Sequence, residues 1–487
     1  MIIPFSDYTP DLPALGNTAS TIKNVIPHPK SYKQLNSLSA YSSALTAYCR
    51  GAFTGTDTDG NVKSFSGDAA SLYRLIGVTF TDSSKVGGYS SATDSYWEFA
   101  QFGNSVIATN FDDAPQTMTM TGTTFADLTG TPPRFRHLAV GGPGGSFLMV
   151  GNTFDSSDSN VPYRVRWPGI GTITSWTVSA ATQADFQDLS AQDGWVQAIT
   201  GGEYFRIYQE RSVWRAVYVG SPVVFQFDKI EGARGCFAPR AALAVGSLDF
   251  YLADDGFYVL AGGQSFPIGS GKIDKTFLSD LNDDYLYRVT VAAIPDDKVI
   301  IWSYPGSGST DGTPNKCLLY NWDSKKWCAA EFNHELIYRA QSIGVTLEEL
   351  DALFPSGLDS VTPSLDSKVW MGGKLQLAAF DTSHRQAFFT GTALATTLET
   401  GEVQLNPGRS EVTEVTALVD GGTHTVQVGT RETQASTVTW GSVASENASG
   451  VCPVRSNSRY HRFRVNNTGS FTDAQGVDVV SVPVGQR

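Results

Sequence analysis

The stretch "RAALAVGSLDFYLADDGFYVLAGG" (residues 240–263) contains two runs in which apolar and polar residues alternate, joined by Ala253-Asp254-Asp255-Gly256. Alternation with a period of two is typical of a β-strand that buries one face. An Asp-Gly pair supplies the positive φ that a tight hairpin requires. The stretch therefore predicts a β-hairpin.

The same pattern of strand, turn and strand recurs along the chain. Other hairpin turns are predicted at 102–104 and at 295–297. The copies begin roughly 40 to 57 residues apart, close to the period of β-propeller blades. Six are clear and a seventh is weaker: 95–111, 136–152, 193–220, 240–263, 287–332, 367–381 and, as the weaker one, 44–80.

A single copy of three or four strands cannot bury both faces, so the copies are expected to pack side by side around an axis. The prediction is an all-β fold, an irregular β-propeller of about six to eight blades. A stack of unrelated sandwiches is the alternative, and the even spacing of the copies favours the propeller.

The two ends of the chain differ from this repeat. Residues 1–43 hold five prolines, which remove backbone donors and fix φ, so an extended arm is predicted there. Near residue 403 the rhythm changes, and Pro407-Gly408 is a linker signal. We therefore expect a propeller at 44–403 and a small C-terminal antiparallel β domain at 404–487, which would serve as a platform or interface.

One segment, residues 345–370, interrupts the strand pattern. A capping box predicts a short inserted helix over 347–354, and Pro355 ends it. Its apolar residues would dock against the protein, while its acids would lie on the opposite side. We interpret these acids as facing solvent or another subunit rather than as catalytic groups: Glu348, Glu349 and Asp351.

Composition excludes several classes of protein. The net charge is −13 and charged residues make up 17%, which argues against a basic groove that grips nucleic acid. Five cysteines without a CxxC pair indicate free thiols rather than a disulfide framework or a zinc site. No apolar run approaches the ~20 residues of a membrane-spanning helix, and the N-terminus does not look like a signal peptide.

Motifs of known chemistry are incomplete in this sequence. "PIGSGK" (267–272) lacks the first glycine and the final Ser or Thr of a phosphate loop. "DTDGN" (57–61) lacks the twelfth-position acid of a calcium loop and is better read as a turn. The histidines show no metal-ligand spacing, and no GxSxG elbow or sialidase Asp box occurs. We therefore predict no catalytic residue, no cofactor and no metal.

Four arginines cluster in the C-terminal domain within "RSNSRYHRFRV" (455–465). Alternation places Arg462 and Arg464 on one face of a strand. Contact with DNA phosphates is one interpretation, and a salt-bridged edge between subunits is the favoured one. The candidate interface or channel residues are thus Arg455, Arg459, Arg462 and Arg464, together with the acids of the predicted helix.

Several segments in order resemble the tail hub or nozzle proteins of short-tailed bacteriophages, the group that includes packaged-DNA stabilization proteins. They cover most of the chain from about residue 20 to 487. The segments are "SYWEFAQFGNSVIATN" (95–110), "RHLAVGG" (136–142), "FLMVGN" (147–152), "NVPYRVRWPGIGTITSW" (160–176), "IEGARGCFAPRAALAVGSLDFYLADDGFYVLAGGQSFPIGSGKIDKTF" (230–277), "LEELDALFPSGLDSVTPSLDSKVWMGGKLQLAAFD" (347–381), "SRYHRFRVNN" (458–467), "AQGVDV" (474–479) and "PVGQR" (483–487).

The resemblance implies a structural virion protein without enzymatic activity, assembled in the host cytoplasm into a homohexameric ring of the viral tail. Its partners would be the head-to-tail adaptor, a tail fibre, spike or needle protein, and double-stranded DNA. That DNA would pass through the ring without sequence-specific binding and be retained until ejection. The rival is a carbohydrate-binding or glycan-hydrolysing propeller, such as a receptor-binding tail protein.

Overall fold

The computed structural model describes residues 1–13, 16–342 and 373–484 of the 487-residue chain. The predicted helix at 347–354, and with it Glu348, Glu349 and Asp351, lies outside the described residues. The first strands belong to the segment predicted as an extended arm: β1 (Ile2–Pro4), β2 (Asp7–Tyr8), β3 (Thr18–Ala19), β4 (Ile22–Lys23), β5 (Val25–Pro27), β6 (Tyr32–Gln34) and β7 (Ser39–Ala44).

Seven antiparallel blades of four strands each form a β-propeller within the described residues. Six blades are separate four-stranded sheets, and the remaining one is part of a ten-stranded sheet. Blades 1 to 3 consist of β8 (Gly51–Thr56), β9 (Val62–Gly67), β10 (Leu72–Ile76) and β11 (Thr79–Asp82); β12 (Glu98–Phe102), β13 (Ser105–Thr109), β14 (Gln116–Thr119) and β15 (Ala126–Asp127); and β16 (Arg134–Gly141), β17 (Phe147–Asp155), β18 (Ser159–Trp167) and β19 (Asp185–Asp188).

Blades 4 to 6 have the same order of strands. They consist of β20 (Val196–Thr200), β21 (Phe205–Gln209), β22 (Val213–Gly220) and β23 (Val224–Glu231); β24 (Ala242–Val245), β25 (Leu248–Ala253), β26 (Gly256–Ala261) and β27 (Gln264–Pro267); and β28 (Thr290–Ile294), β29 (Val299–Tyr304), β30 (Lys316–Asn321) and β31 (Lys326–Glu331). The three predicted hairpin turns are confirmed, because they join β12 to β13, β25 to β26 and β28 to β29.

Blade 7 closes the propeller with a strand from the other end of the chain. It consists of β32 (Leu336–Gln341), β33 (Leu375–Phe380) and β34 (Arg385–Phe388), and β7 pairs antiparallel with β34 as its outermost strand. The first strands of the blades form a ring in which each contacts the next, and β32 contacts β8. The fold is an all-β propeller, as predicted, and the structure sets the blade number at seven.

Apolar side chains fill the spaces between neighbouring blades, because no blade can bury both faces alone. Phe65 of blade 1 and Trp97 beside blade 2 belong to one such layer, and Phe147 and Phe225 join blades 3 and 4. Tyr41 of β7 packs edge-on against Phe388 with ring centroids 5.2 Å apart, in the layer that joins blade 7 to blade 1. Aromatic layers of this kind stabilise the closed ring by burying large apolar areas.

The C-terminal strands form a sandwich that shares a sheet with the propeller. They are β35 (Thr396–Glu399), β36 (Arg409–Val419), β37 (Thr423–Arg431), β38 (Thr439–Trp440), β39 (Ala444–Ser445), β40 (Val451–Ser458), β41 (Tyr460–Thr468) and β42 (Ala474–Val484). One sheet has the order β40-β36-β42-β6-β5, with β1 also paired to β42. The other continues from blade 6 through β4 into β35-β41-β37-β38.

Helical structure is sparse in the described residues. One α-helix, α1 (Asp274–Asp280), follows blade 5, and 3-10 turns occur at Pro143–Gly145, Ala191–Asp193 and Asp283–Arg288. The α1 helix was not predicted from the sequence. It is seven residues long and too short to show a helical period, and Phe277 anchors it to the core between blades 5 and 6.

Candidate functional site

The inner strands of all seven blades run in the same direction, so the residues that precede them meet at one end of the propeller axis. The amide of Trp97, before β12, donates to the carbonyl of Arg50, before β8, at 3.1 Å. The guanidinium of Arg240, before β24, donates through Nη2 to the carbonyl of Tyr287, before β28, at 3.0 Å. We call this end the mouth, and its central residues are Tyr48, Arg50, Tyr96, Arg240, Tyr287, Arg288 and Glu335.

Two adjacent cavities occupy the mouth and the axis behind it. The mouth cavity has a volume of about 20 Å³. The axial cavity has a volume of about 240 Å³ and is lined by inner strands of the ring, including Ala52, Ala198 and Ala242. Both cavities are lined by Arg240 and Leu336, so the mouth lies directly beside the axial cavity.

Three arginines line the mouth, and none of them forms an ion pair with a carboxylate of the described residues. Arg50 donates through Nη1 to the backbone carbonyls of Ala92 and Ser95. Burial and the positive charge of Arg288 both lower the pKa of Arg50. Asp68 and Asp112 partly offset this effect on Arg50, and Arg288 lies close enough to Asp311 to help lower the pKa of that carboxyl. The mouth therefore clusters three guanidinium groups that have carboxylates nearby but form no direct ion pair with them.

Tyrosine rings hold these guanidinium groups in place. Arg288 lies over the ring of Tyr48, 4.3 Å from its centroid, and Arg240 lies over Tyr96 at 4.0 Å. Cation–π contacts of this kind position a guanidinium without neutralising it. The hydroxyl of Tyr48 donates to the carbonyl of Glu335 at 2.7 Å, which ties blade 7 to the segment before blade 1.

Arg240 is the most constrained of the three arginines. Its φ is 61°, in the left-handed region that residues other than glycine, asparagine and aspartate rarely adopt. Its Nε is buried and has no hydrogen-bond partner among the described residues. Burial lowers the pKa of this guanidinium, and Tyr96 and Glu98 partly offset that effect. Strain and an unmatched donor at one residue are typical of functional sites.

The two carboxylates at the mouth are each held by a histidine and a backbone amide. Glu98 accepts from His137 Nδ1 at 2.8 Å and from the amide of Leu138 at 3.3 Å. Glu335 accepts from His384 Nδ1 and from the amide of Cys49 at 2.8 Å. Burial raises the pKa of Glu335, and the Cys49 amide and His384 partly oppose the shift. Both carboxylates thus anchor loops at the mouth.

The arginines predicted as interface or channel residues lie in the C-terminal sandwich, away from the mouth. Arg462 and Arg464 do share a face of β41, and both bind the buried carboxylate of Glu399 on β35. Arg455 is exposed and pairs with Glu411 at 3.0 Å, and Arg459 is exposed over the ring of Tyr460. The structure therefore gives Arg462 and Arg464 a partner inside the chain and leaves Arg455 and Arg459 at the surface.

The rejected motifs have structural roles. Asp57 of "DTDGN" accepts from the amides of Asp59 and Asn61 in the turn between β8 and β9, as predicted for a turn. "PIGSGK" leads from β27 into α1. All five cysteines are free and buried. Across 1–13, 16–342 and 373–484, no three His, Cys, Asp or Glu side chains are grouped to hold a metal ion.

Comparison with known proteins gives likeness of structure only. No protein-family model and no curated protein matches the chain. Among solved structures, the WD40 domain of Neurospora crassa Pan2 aligns at 9% identity and a TM-score of 0.40, covering 74% of this chain and 96% of that domain. The extracellular domain of a one-component-system protein, BT4673 of B. thetaiotaomicron, aligns at 10% identity and a TM-score of 0.41, covering 88% and 58%.

Among the residues described, no helix is long and apolar enough to cross a membrane.

Proposed function

We propose that the chain is a structural subunit of the tail of a short-tailed bacteriophage, and that it forms the hub or nozzle ring below the portal and adaptor. The observation that carries this proposal is the resemblance in sequence, which follows the family's order of segments over most of the chain. The role is structural and needs no catalytic residue. Packaged DNA is retained by the ring and passes through it at ejection.

The connection between propeller and sandwich supports a load-bearing subunit. The sheet of blade 6 continues through β4 into the sandwich, and β5 and β6 pair within the second sheet. Glu399 on β35, bound to Arg462 and Arg464, adds a buried ion pair to the sandwich side of this connection. A subunit that retains DNA under pressure gains from such rigid continuity, because a flexible linker would let the two parts move separately.

The size of the axial cavity determines where DNA passes in this proposal. The axial cavity has a volume of about 240 Å³, the scale of a small-molecule pocket. A double helix does not fit into such a space, so the conduit lies between the subunits of the ring. An acidic chain is suited to a conduit that repels DNA weakly, since the net charge of −13 opposes retention on its surface.

The outer face of the sandwich is the surface that we assign to contact between subunits. Ile2, Val480 and Val482 alternate outward there, with 68%, 49% and 47% of their surface exposed. Arg455, with its side chain 89% exposed, lies on the same sheet. An apolar stripe beside a charged residue fits a contact between two copies of the chain, in which a second copy covers the stripe.

The test is the mass of the full chain in solution, measured with and without the adaptor protein. We expect a ring of six copies, either alone or in the presence of adaptor. Val480→Glu places a charge in the stripe and should give monomers, whereas Val86→Glu, at a fully exposed loop position, should leave the ring intact. A persistent monomer that ignores the adaptor would refute the proposal. Rings of six that still form in Val480→Glu would refute only the assignment of the stripe to the contact between subunits.

The rival function, a ligand-binding propeller of the receptor-binding type, is favoured by one observation, the cluster of three arginines at the mouth. Hydrolysis of glycans would require a pair of free carboxylates facing the substrate. Glu98 and Glu335 are instead engaged by His137 and His384. A binding function for the mouth is compatible with a structural subunit and is developed next.

A further inference from the structure

We propose that the mouth of the propeller is a binding site for a small molecule that carries an oxyanion, either a carboxylate or a phosphate, held by Arg50, Arg240 and Arg288. This inference goes beyond the structural role proposed above and does not depend on it. It rests on the geometry of the mouth, which brings together three guanidinium groups from three different blades.

The arginines are placed where an anion would complete their bonding. The side chain of Arg288 makes no hydrogen bond to the described residues; it lies against tyrosine rings and near Asp311, so its donors can bind a ligand. Arg240 keeps a buried Nε without a partner at the point where the mouth meets the axial cavity. A planar guanidinium fork matches the oxygens of a carboxylate or a phosphate.

Keeping like charges together in a half-buried site has an energetic cost that nearby carboxylates offset only in part: Asp68 and Asp112 favour the charge of Arg50, and Glu98 that of Arg240. Glu335 is the one carboxylate among the residues lining the mouth cavity, and it is already bound to His384 and to the Cys49 amide. A bound oxyanion would relieve the repulsion between Arg50 and Arg288. The left-handed backbone of Arg240 indicates that this arrangement is maintained against local strain.

The surroundings define the rest of the ligand. Rings of Tyr48, Tyr96 and Tyr287 flank the three arginines, and Ser95 and Thr290 add hydroxyl groups. Flat aromatic faces beside a charged group are suited to a ligand with a ring or another apolar body next to its anionic group. The cavities are recessed and small, so the ligand is a small molecule rather than a nucleic acid or a protein segment.

The experiment is a calorimetric titration of the full-length chain with two probes, inorganic phosphate and benzoate, at ionic strength kept constant with chloride. We expect saturable binding of at least one probe. Tighter binding of benzoate assigns a carboxylate ligand, and tighter binding of phosphate assigns a phosphoryl ligand. No saturable binding of either probe would overturn the proposal.

Variants locate the binding. Arg288→Gln removes no hydrogen bond of the described structure and should raise the Kd of the probe about tenfold or more, the loss of a charge-assisted contact. Arg288→Lys keeps the charge without the fork and should give an intermediate Kd. The matched control is Arg215→Gln, because Arg215 is already paired with Asp228 on blade 4 at 3.1 Å. Its Kd should equal that of the wild type.

Two results would contradict the assignment. If Arg288→Gln and Arg240→Gln both bind the probe as tightly as the wild type, the anion binds elsewhere. If a short DNA duplex displaces the probe and loses affinity in Arg288→Gln, the mouth recognises a nucleic-acid backbone rather than a small molecule. Should Arg240→Gln fail to fold because it loses the hydrogen bonds to the carbonyls of Arg50 and Tyr287, Arg288→Gln alone decides the matter.

Discussion

Replacing Glu399 by glutamine should destabilise the protein more than any single change of surface charge. The carboxylate of Glu399 is fully buried and lies between strands β35 and β41. It accepts from Arg462 Nη2 at 2.9 Å, from Arg464 Nε at 2.8 Å and from the hydroxyl of Ser20 at 3.1 Å. Glutamine has nearly the same size, so the change removes charge without creating a cavity.

The magnitude follows from the exposure of the two arginines. Removing one partner of a buried ion pair costs about 3–5 kcal/mol, because the remaining charge stays buried without compensation. The Arg462 side chain is only 10% exposed, whereas that of Arg464 is 27% exposed and can recover part of its hydration. The lower end of the range therefore applies, and we expect Glu399→Gln to reduce the free energy of unfolding by about 3 kcal/mol.

Urea unfolding followed by tryptophan fluorescence measures this loss. Trp440 reports on the site directly, because the guanidinium of Arg464 lies 3.9 Å from the centroid of its ring. The matched control is Glu411→Gln, which breaks the pair with the exposed Arg455 and should cost at most about 1 kcal/mol. The difference between the two variants should persist at high salt, since buried pairs are screened little. Equal losses for Glu399→Gln and Glu411→Gln would refute the reasoning.

Three further outcomes are expected. Burial lowers the pKa of His334 to about 4, so the unfolded state takes up a proton before the folded state does as the pH falls below 6.5. The free energy of unfolding should therefore drop by up to about 3 kcal/mol by pH 4. In His334→Gln, the urea midpoint should depend less on pH over this range. Burial raises the pKa of Asp274 from 3.8 to about 7, so the free energy of unfolding should fall as the pH rises between these two values. Compared with the wild type, Asp274→Asn should have a higher thermal midpoint at pH 8 and the same midpoint at pH 4. Burial raises the pKa of all five thiols, so a thiol reagent should label none in the native protein and five after unfolding: Cys49, Cys236, Cys317, Cys328 and Cys452.

The propeller could be predicted because each blade shows strand alternation and turn residues within a short stretch of sequence. In blade 5, alternating runs and the Asp-Asp-Gly turn at 254–256 mark β25 and β26 without reference to the rest of the chain. Blade 1 gave a weak signal because its strand β9, "VKSFSG", buries serines and glycine along with Phe65. Closure by β7 had no local signal at all, since a strand at 39–44 pairs with one at 385–388.

The C-terminal sandwich shows the same limit on sequence reasoning. The alternation that places Arg462 and Arg464 on one face of β41 is present in the sequence, and the structure confirms it. Their partner Glu399 lies more than sixty residues earlier, in a strand that carries no distinguishing pattern. Pairing across such separations depends on the order of strands in the sheet, which local periodicity does not encode.

The mouth could not be assembled from the sequence, although one signal for it exists. Arg50, Arg240 and Arg288 each stand one or two residues before an inner strand, in "CRGAF", "PRAAL" and "YRVTV". This recurrence is visible only once the first strand of each blade is known. The residues are separated by up to 238 positions (from 50 to 288) and meet because the ring closes, so their common role follows from topology rather than from spacing.

Three clustered arginines that form no ion pair within the described residues are a poor choice for stability alone. Natural proteins are rarely at their stability optimum, so stabilising replacements are usually available. Replacing Arg288 by a neutral residue would remove its repulsion with Arg50 and would lose only its contacts with tyrosine rings. Violations of local rules are expected where function requires them. The prediction of a structural role accounts for the sheet shared by propeller and sandwich but offers no reason for the mouth. A ligand at the mouth supplies that reason. Because the mouth and the outer stripe of the sandwich share no residues, Arg288→Gln should weaken anion binding about tenfold or more without changing the mass of the assembly.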